Sequence, residues 1–150
     1  MREISIIWRN FSDLSPHELY ALLKLRSKVF VVEQQCLYLD LDDRDESARH
    51  LLVNSEQAVG AYLRLRSSSE SPAAVKIERV VVSPELRGRG LARYMIVEAL
   101  AEADRSFGEV AIEISAQSHL EQFYQTLGFK RVSCDYLEYG ISHCDMLLRT

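Results

Sequence analysis

A chain of 150 residues, 47% hydrophobic and 27% charged, can bury one substantial core and has the composition of a soluble globular domain. Its formal net charge of −4 argues against a general nucleic-acid binder, which carries a basic face. No apolar run reaches membrane-spanning length, the first residues lack a signal-peptide core, and Cys36, Cys134 and Cys144 lack metal-ligand spacing. A single cytoplasmic domain over residues 1–150, bound to neither membrane nor nucleic acid, is expected.

Residues 4–8 read as a short apolar strand. Ser15-Pro16-His17-Glu18 has the form of a capping box with proline at the first helical position. Leu19, Leu22, Leu23, Arg26, Val29 and Phe30 follow at helical spacing, which predicts an amphipathic helix to about Phe30. Residues 37–47 have no helical period and are expected to form a loop. That loop concentrates the charge: Asp40, Asp42, Asp43, Asp45 and Glu46 against Arg44 amount to −4, leaving the remainder formally neutral. Asp40-x-Asp42 begins like a calcium loop, but the sixth position is not glycine and the twelfth is Leu51, so no metal is expected. A solvated loop and a clamp for a cationic substrate both stay open.

His50 to Asn54 and Ala58 to Arg66 are expected to pair as a hairpin around Ser55-Glu56. In the second arm Val59, Ala61, Leu63 and Leu65 alternate with Tyr62, Arg64 and Arg66. Residues 67–72 read as a serine-rich, mobile surface turn. Val75 to Ser83, nearly continuous in apolar residues after Arg79, is the expected central strand, covered on both faces. The helix Leu91–Phe107 should bury Leu91, Ala92, Met95, Ile96, Ala99, Leu100 and Ala103, with Gly108 at C′. Val110, Ile112 and Ile114 alternate in a further strand, Ser118 should cap a helix over 119–127 closed by Gly128, and 129–150 divides at Gly140 into a hairpin. This order predicts an α/β fold: a mixed sheet with helices on both faces.

Between the central strand and the long helix runs Val80-Val-Val-Ser-Pro-Glu-Leu-Arg-Gly-Arg-Gly-Leu-Ala92. Strand, tight loop and helix N-terminus in that order make an anion site, because the first N–H groups of a helix lack internal partners and sit at the positive end of its dipole. Gly88 and Gly90 allow a sharp turn against bare backbone, and Arg87 and Arg89 add full charges. An ordinary strand-to-helix turn with solvated arginines has the same spacing. The loop is neither the Gly-x-x-x-x-Gly-Lys-Ser/Thr of nucleotide hydrolases nor a dinucleotide fingerprint, which needs a third glycine.

Arg87-Gly-Arg-Gly90-Leu-Ala92 resembles the Arg/Gln-x-x-Gly-x-Gly/Ala signature of the GNAT superfamily of acetyl-CoA-dependent N-acetyltransferases. The stretch from Ala116 to Phe129, a short helix ending in Tyr-x-x-x-Gly-Phe, is similar to a second GNAT signature. Leu19 to Gln34, Arg49-His50-Leu51 and Gly140-Ile-Ser-His143 resemble the ElaA-type branch, so the likeness spans nearly the whole chain. It implies a GNAT-like fold, a mostly antiparallel mixed sheet whose central strands splay apart. It also implies transfer of an acetyl group from acetyl-CoA to an amine of a small molecule, peptide or protein, by direct attack in a ternary complex. Homodimers are common for this fold and stand among the expected states.

The resemblance implies a cofactor site at Val80, Val81 and Val82 for the pantetheine arm, at Arg87, Gly88, Arg89, Gly90, Leu91 and Ala92 for the pyrophosphate, and at Gln117. Val81 or Val82 would polarise the thioester carbonyl through its N–H. The splay of the strand after the long helix is implied by the family alone; a fully paired ladder would close the slot. Tyr124, at the motif position, would protonate the thiolate, although beside Phe123 it equally suits helix packing. His143 on the last hairpin would be the base, since an imidazole titrates near neutrality. Glu78 and Glu33 are its rivals; Glu33 ends the first helix, where a negative charge opposes the dipole, and that mismatch points to gripping an amine. His50 is a candidate substrate contact, while His17 and His119 have no evident task. Cys36, Cys134 and Cys144 offer no nucleophile for a covalent route. Two other readings remain: an acetyl-CoA-binding sensor without chemistry, and an acyltransferase like the acyl-homoserine-lactone synthases.

Overall fold

The computed structural model describes residues 4–56, 58–67 and 74–149; of the serine-rich turn, all but Ser67 lies outside them. Among the described residues eight strands make one sheet: β1 Ile4–Asn10, β2 Arg49–Ser55, β3 Ala58–Ser67, β4 Ala74–Val82, β5 Ala111–Gln117, β6 Lys130–Arg131, β7 Tyr136–Glu138 and β8 Ile141–Arg149. Their order is β1-β2-β3-β4-β5-β8-β6, with β7 also on β8, and every pair is antiparallel except β4 with β5.

Three α-helices cover the faces: α1 Pro16–Arg26, α2 Leu91–Phe107 and α3 Glu121–Gln125. The capping box of α1 forms in both directions, Glu18 N–H donating to Ser15 Oγ at 3.0 Å and Ser15 N–H to Glu18 Oε1 at 2.9 Å. After Arg26 the helix widens into a π-helical turn, Ser27–Glu33, so the helical segment runs past Phe30. The short helix differs from expectation too. Ser118 begins a 3₁₀ turn rather than capping, because its hydroxyl bonds to Asp135 and Ser142, and α3 starts only at Glu121.

Burial follows the strand alternation. Leu51, Val53, Ala61, Leu63 and Leu65 face α2, where Met95, Ile96, Ala99 and Ala103 complete one apolar cluster with Tyr124 and Phe129. Leu91, Ala92 and Leu100 are half-buried at its edge. Leu52, Tyr62 and Val81 face the other way and pack on Leu22, Leu25 and Val29 of α1 and its extension. A sheet covered on both faces is why β2 and β3 read as nearly unbroken apolar runs.

The centre of the sheet opens. Among the described residues β4 and β5 pair only at Ala74 with Ala111, Val75 with Ile112 and Lys76 with Glu113; after Lys76 and Glu113 the strands part. A bulge accompanies the opening. Tyr62 faces Val81 and Arg64 faces Glu78, so Arg79 and Val80 together oppose Leu63, and Arg79 takes a left-handed φ of +57°. A bulge bends its strand and increases local twist. The splay implied by the resemblance is present.

Candidate active site

The parted strands border a cleft of about 790 Å³. β4 contributes Ile77–Val82 to it, the diverging end of β5 contributes 114–117, and the π-helical turn, the acidic loop, α3 and the β7–β8 turn close the sides. Val80, Val81, Val82, Arg87, Gln117, Tyr124, His143, Glu78 and Glu33 all line this one space. His50 does not.

At one end Arg87 leads into α2. Gly88 and Gly90 hold φ of +79° and +77°, a conformation that strains any residue with a Cβ, and a Cβ built on either meets no atom within 4 Å. Tyr94 N–H makes the first bond of α2, to Gly90 O at 3.0 Å, and no side chain caps the helix. The N–H groups of Leu91, Ala92 and Arg93 precede that bond, so the turn, Arg89 beside it, presents an open backbone concavity suited to an anion. Arg87 itself is committed elsewhere: its Nε–H donates to Val82 O at 3.0 Å, and its two terminal nitrogens donate to Glu33 at 2.7 and 2.9 Å. The hydrogen bond from Arg87 holds the Glu33 carboxyl below its usual range and raises the guanidinium in turn. Glu33, although it lines the cleft, is therefore already paired with an arginine.

Tyr124 lines the cleft, 5% exposed, its ring edge-on to Phe123 and Phe129 at 5.0 and 5.9 Å. Burial pushes its pKa up to about 12, so the phenol keeps its proton at neutral pH. His143 lies opposite Gln117 in the β5–β8 register and its ring stacks on Tyr136. Its Nδ1 is 2.7 Å from Ile141 O. A carbonyl only accepts, so Nδ1 carries the hydrogen and the lone pair is left on Nε2, 3.9 Å from Glu138. Gln117 Nε2 reaches Gln34 Oε1 at 3.4 Å.

The acidic loop is solvated only in part: Asp43 and Glu46 are exposed, whereas Asp40 and Asp45 are buried. Asp40, Asp42 and Asp45 pair with guanidiniums of the fold itself, so these three are already compensated. Arg26 Nε donates to Asp40 at 2.8 Å and its Nη1 to Asp45 at 2.7 Å. Arg64 reaches Asp42 at 2.7 and 2.8 Å, Asp45 at 2.9 Å and Glu78 at 3.1 Å. Arg79, on the bulge, pairs with Asp40 at 2.8 Å and Asp42 at 3.4 Å. Arg26, Arg64, Arg66 and Arg79 thus match Asp40, Asp42, Asp45 and Glu78 charge for charge. Burial alone would raise Asp42, Asp45 and Glu78, but hydrogen bonds and charge from these arginines overcome it and hold all three low.

Glu78, fixed by Arg64 and Arg66 as a stabilised carboxylate, is consequently a weak base at neutral pH. His50 is the clearest correction. It is fully buried, its Nδ1 2.6 Å from Tyr62 Oη and its Nε2 2.8 Å from Asp45 O, and desolvation lowers its pKa; it ties the loop to β3 and cannot meet a substrate. Sequence reasoning passed over Tyr38, Tyr139 and Glu138 and gave His119 no task, yet all four line the cleft. A place for His119 was foreseeable: it follows the C-terminal end of β5, where open α/β sheets gather ligands. No group of three or more His, Cys, Asp or Glu side chains that could hold a metal occurs among the described residues, and no helix there is long and apolar enough to cross a membrane.

A parted pair of central strands with a glycine turn and helix N-terminus at one end is the architecture of an acyl-CoA N-acyltransferase, and the acetyltransferase (GNAT) domain model matches residues 12–150. The chain belongs to the GNAT acetyltransferase family. Its relatives place it in the ElaA-type branch: it is 39% identical over 145 residues to protein ElaA of Escherichia coli, covering 94% of this chain and 95% of that one. A UPF0039 protein of Synechocystis is 38% identical over 149 residues, covering 98% and 96%. The crystal structure of an acyl-CoA N-acyltransferase from Pseudomonas aeruginosa superposes with a TM-score of 0.93 at 38% identity, over 97% of this chain and 99% of that one. That of Escherichia coli ElaA gives 0.91 at 36% identity, over the same shares.

Proposed function

We propose that this GNAT protein transfers the acetyl group of acetyl-CoA to a primary amine, directly and within a ternary complex. The observation that carries the reading is the unpaired edge of β4 from Ile77 to Val82 beside a glycine turn opening onto α2. The pantetheine arm would lie along that edge as a substitute for the missing strand, and the diphosphate in the concavity of Gly88, Arg89, Gly90, Leu91 and Ala92. Backbone N–H groups carry the phosphates until Arg87 leaves Glu33.

Successive residues of a strand aim their N–H groups at opposite edges, so one of Val81 and Val82 points into the slot. Such a fixed donor at the developing oxyanion is worth about 2.7–4 kcal/mol of transition-state stabilisation. The neutral amine attacks the carbonyl carbon, forming the C–N bond. Collapse of the tetrahedral intermediate breaks the C–S bond. His143 Nε2 takes the proton that the nitrogen sheds, and Tyr124 gives its own to the departing thiolate. The Tyr124 phenol is proton-bearing at neutral pH and lines the same cleft as His143, which supports this pairing over Glu78, whose charge is already bound.

A thiol-release assay with acetyl-CoA against a broad panel of amines tests the reading. Release that depends on the amine supports transfer. Binding of acetyl-CoA without release on any amine would point to a sensor, and release only with an acyl-carrier thioester and a lactone-forming acceptor would point to the synthase reading.

A further inference from the structure

The charges that remain free in the cleft define what kind of amine it can receive, given the transfer reading above. Glu33 is held by Arg87, Asp42 by Arg64 and Arg79, and Glu78 by Arg64 and Arg66. Among the described residues Glu138 is the lining carboxylate that no guanidinium holds, and it lies beside His143. Arg44 lines the same space, exposed, with no carboxylate side chain in salt-bridge reach among the described residues. A polycation would have to compete with arginines for three of the four carboxylates and would meet an uncompensated one in Arg44. The acidic composition of this segment is therefore no sign of a polyamine site.

What the mouth offers is apolar and aromatic surface tied to the fold by several contacts. The Tyr38 ring stacks on Tyr139 at 4.6 Å and so joins the acidic loop to the β7–β8 turn. Tyr38 Oη donates to Asp40 at 3.1 Å, the Arg79 guanidinium lies 5.9 Å from its ring, and Cys36 Sγ is 3.6 Å from Tyr139 O. Tyr139 is 61% exposed and Leu39 77%, both lining the cleft, with Leu37 and Leu137 exposed on the same two segments. Tyr139 also stands at φ +50° before Gly140 at +81°, the two left-handed positions of a tight hairpin turn. Asparagine or glycine suits the first of these, and an aromatic residue is strained there. A strained, solvent-exposed ring at the rim of a cleft serves something other than the turn.

We propose that Tyr38, Tyr139 and Leu39 form the acceptor wall, and that the acceptor is a monoamine with an aromatic or branched aliphatic body rather than a polyamine. The ring or branch rests on Tyr139 and Leu39 while the nitrogen reaches toward His143 and Tyr124.

The test compares kcat/KM for phenethylamine, ethylamine and spermidine, on the full chain with acetyl-CoA, followed by thiol release. Burying one ring predicts that phenethylamine exceeds ethylamine about tenfold to hundredfold. Spermidine should fall below phenethylamine. Tyr139→Asn, chosen because asparagine tolerates the turn, should keep or raise the melting temperature while the phenethylamine-to-ethylamine ratio collapses toward one; Tyr139→Phe should retain the ratio. Thiol release that favours spermidine, or a ratio untouched by Tyr139→Asn, overturns the acceptor class and leaves the transfer reading standing. A panel in which no amine releases thiol overturns both.

Discussion

Tyr124 and His143 reach one cleft from different elements, and each shows what a single residue discloses. Tyr124 was legible because Tyr-x-x-x-Gly-Phe fixes it at the end of a short helix, and any phenol is neutral at about pH 7; its burial against Phe123 and Phe129, which pushes the pKa further up, was not. Tyr124→Phe is expected to lower kcat on the order of 10²-fold, the usual contribution of a positioned acid, with acetyl-CoA affinity nearly unchanged by calorimetry. With the phenol at about 12, kcat should show no alkaline fall that belongs to Tyr124 until well above neutrality. Unchanged turnover on a good acceptor would remove Tyr124 as the acid. Glu33 was read as an amine grip because a carboxylate ends its helix, yet its partner is Arg87, distant in the chain, which no local pattern could reveal. That pair sets two opposed expectations for acetyl-CoA affinity. Arg87→Ala should weaken it, and Glu33→Gln, by freeing the guanidinium for a phosphate, should tighten it about tenfold, the worth of one charge-assisted bond. Tightening absent in Glu33→Gln would mean that Glu33 positions Arg87 rather than competing for it.

At the scale of elements, the acidic loop and the bulge of β4 are one device. Arg79 takes its left-handed conformation while bound to Asp40 and Asp42, and its bulge accompanies the parting of β4 from β5, so the loop braces the mouth of the slot. The loop itself was legible from its lack of period, but its burial was not. A run of aspartates looks solvated until Arg26, Arg64 and Arg66 are known to sit on buried faces beneath it. The alternation in β3 carried a clue, since arginines stood where a strand covered on both faces would bury them. Asp45→Asn strips a charge from both Arg26 and Arg64 and is expected to cost about 3–5 kcal/mol in urea unfolding at pH 7. The pH dependence has a definite sign. Asp42, Asp45 and Glu78 have lower pKa in the folded chain than unfolded, so their contribution is complete above about pH 5, clear of the unfolded values, and is lost as the pH falls through their folded values. The loss of stability between pH 7 and pH 3 should be smaller in Asp45→Asn than in the parent chain. An equal loss would show that the network is not what acid dissolves.

For the whole molecule, the order of elements and both faces of helices could be read from periodicity, caps and turn glycines, because each depends on residues close in sequence. The position of β5 beside β4, and above all their separation after three residue pairs, could not. Nothing in Val110 to Gln117 states whether its edge is paired; that depends on how a distant strand, β4, runs beside it. The family likeness implies that feature, and the bulge at Arg79 and Val80 accompanies it. Amide hydrogen exchange on the full chain, with and without saturating coenzyme A, tests the central claim most directly. The account predicts slowed exchange concentrated in residues 80–92 and 114–117, with β1 and β2 unchanged. Binding that leaves 80–92 exchanging as before, or no binding at all, would contradict it.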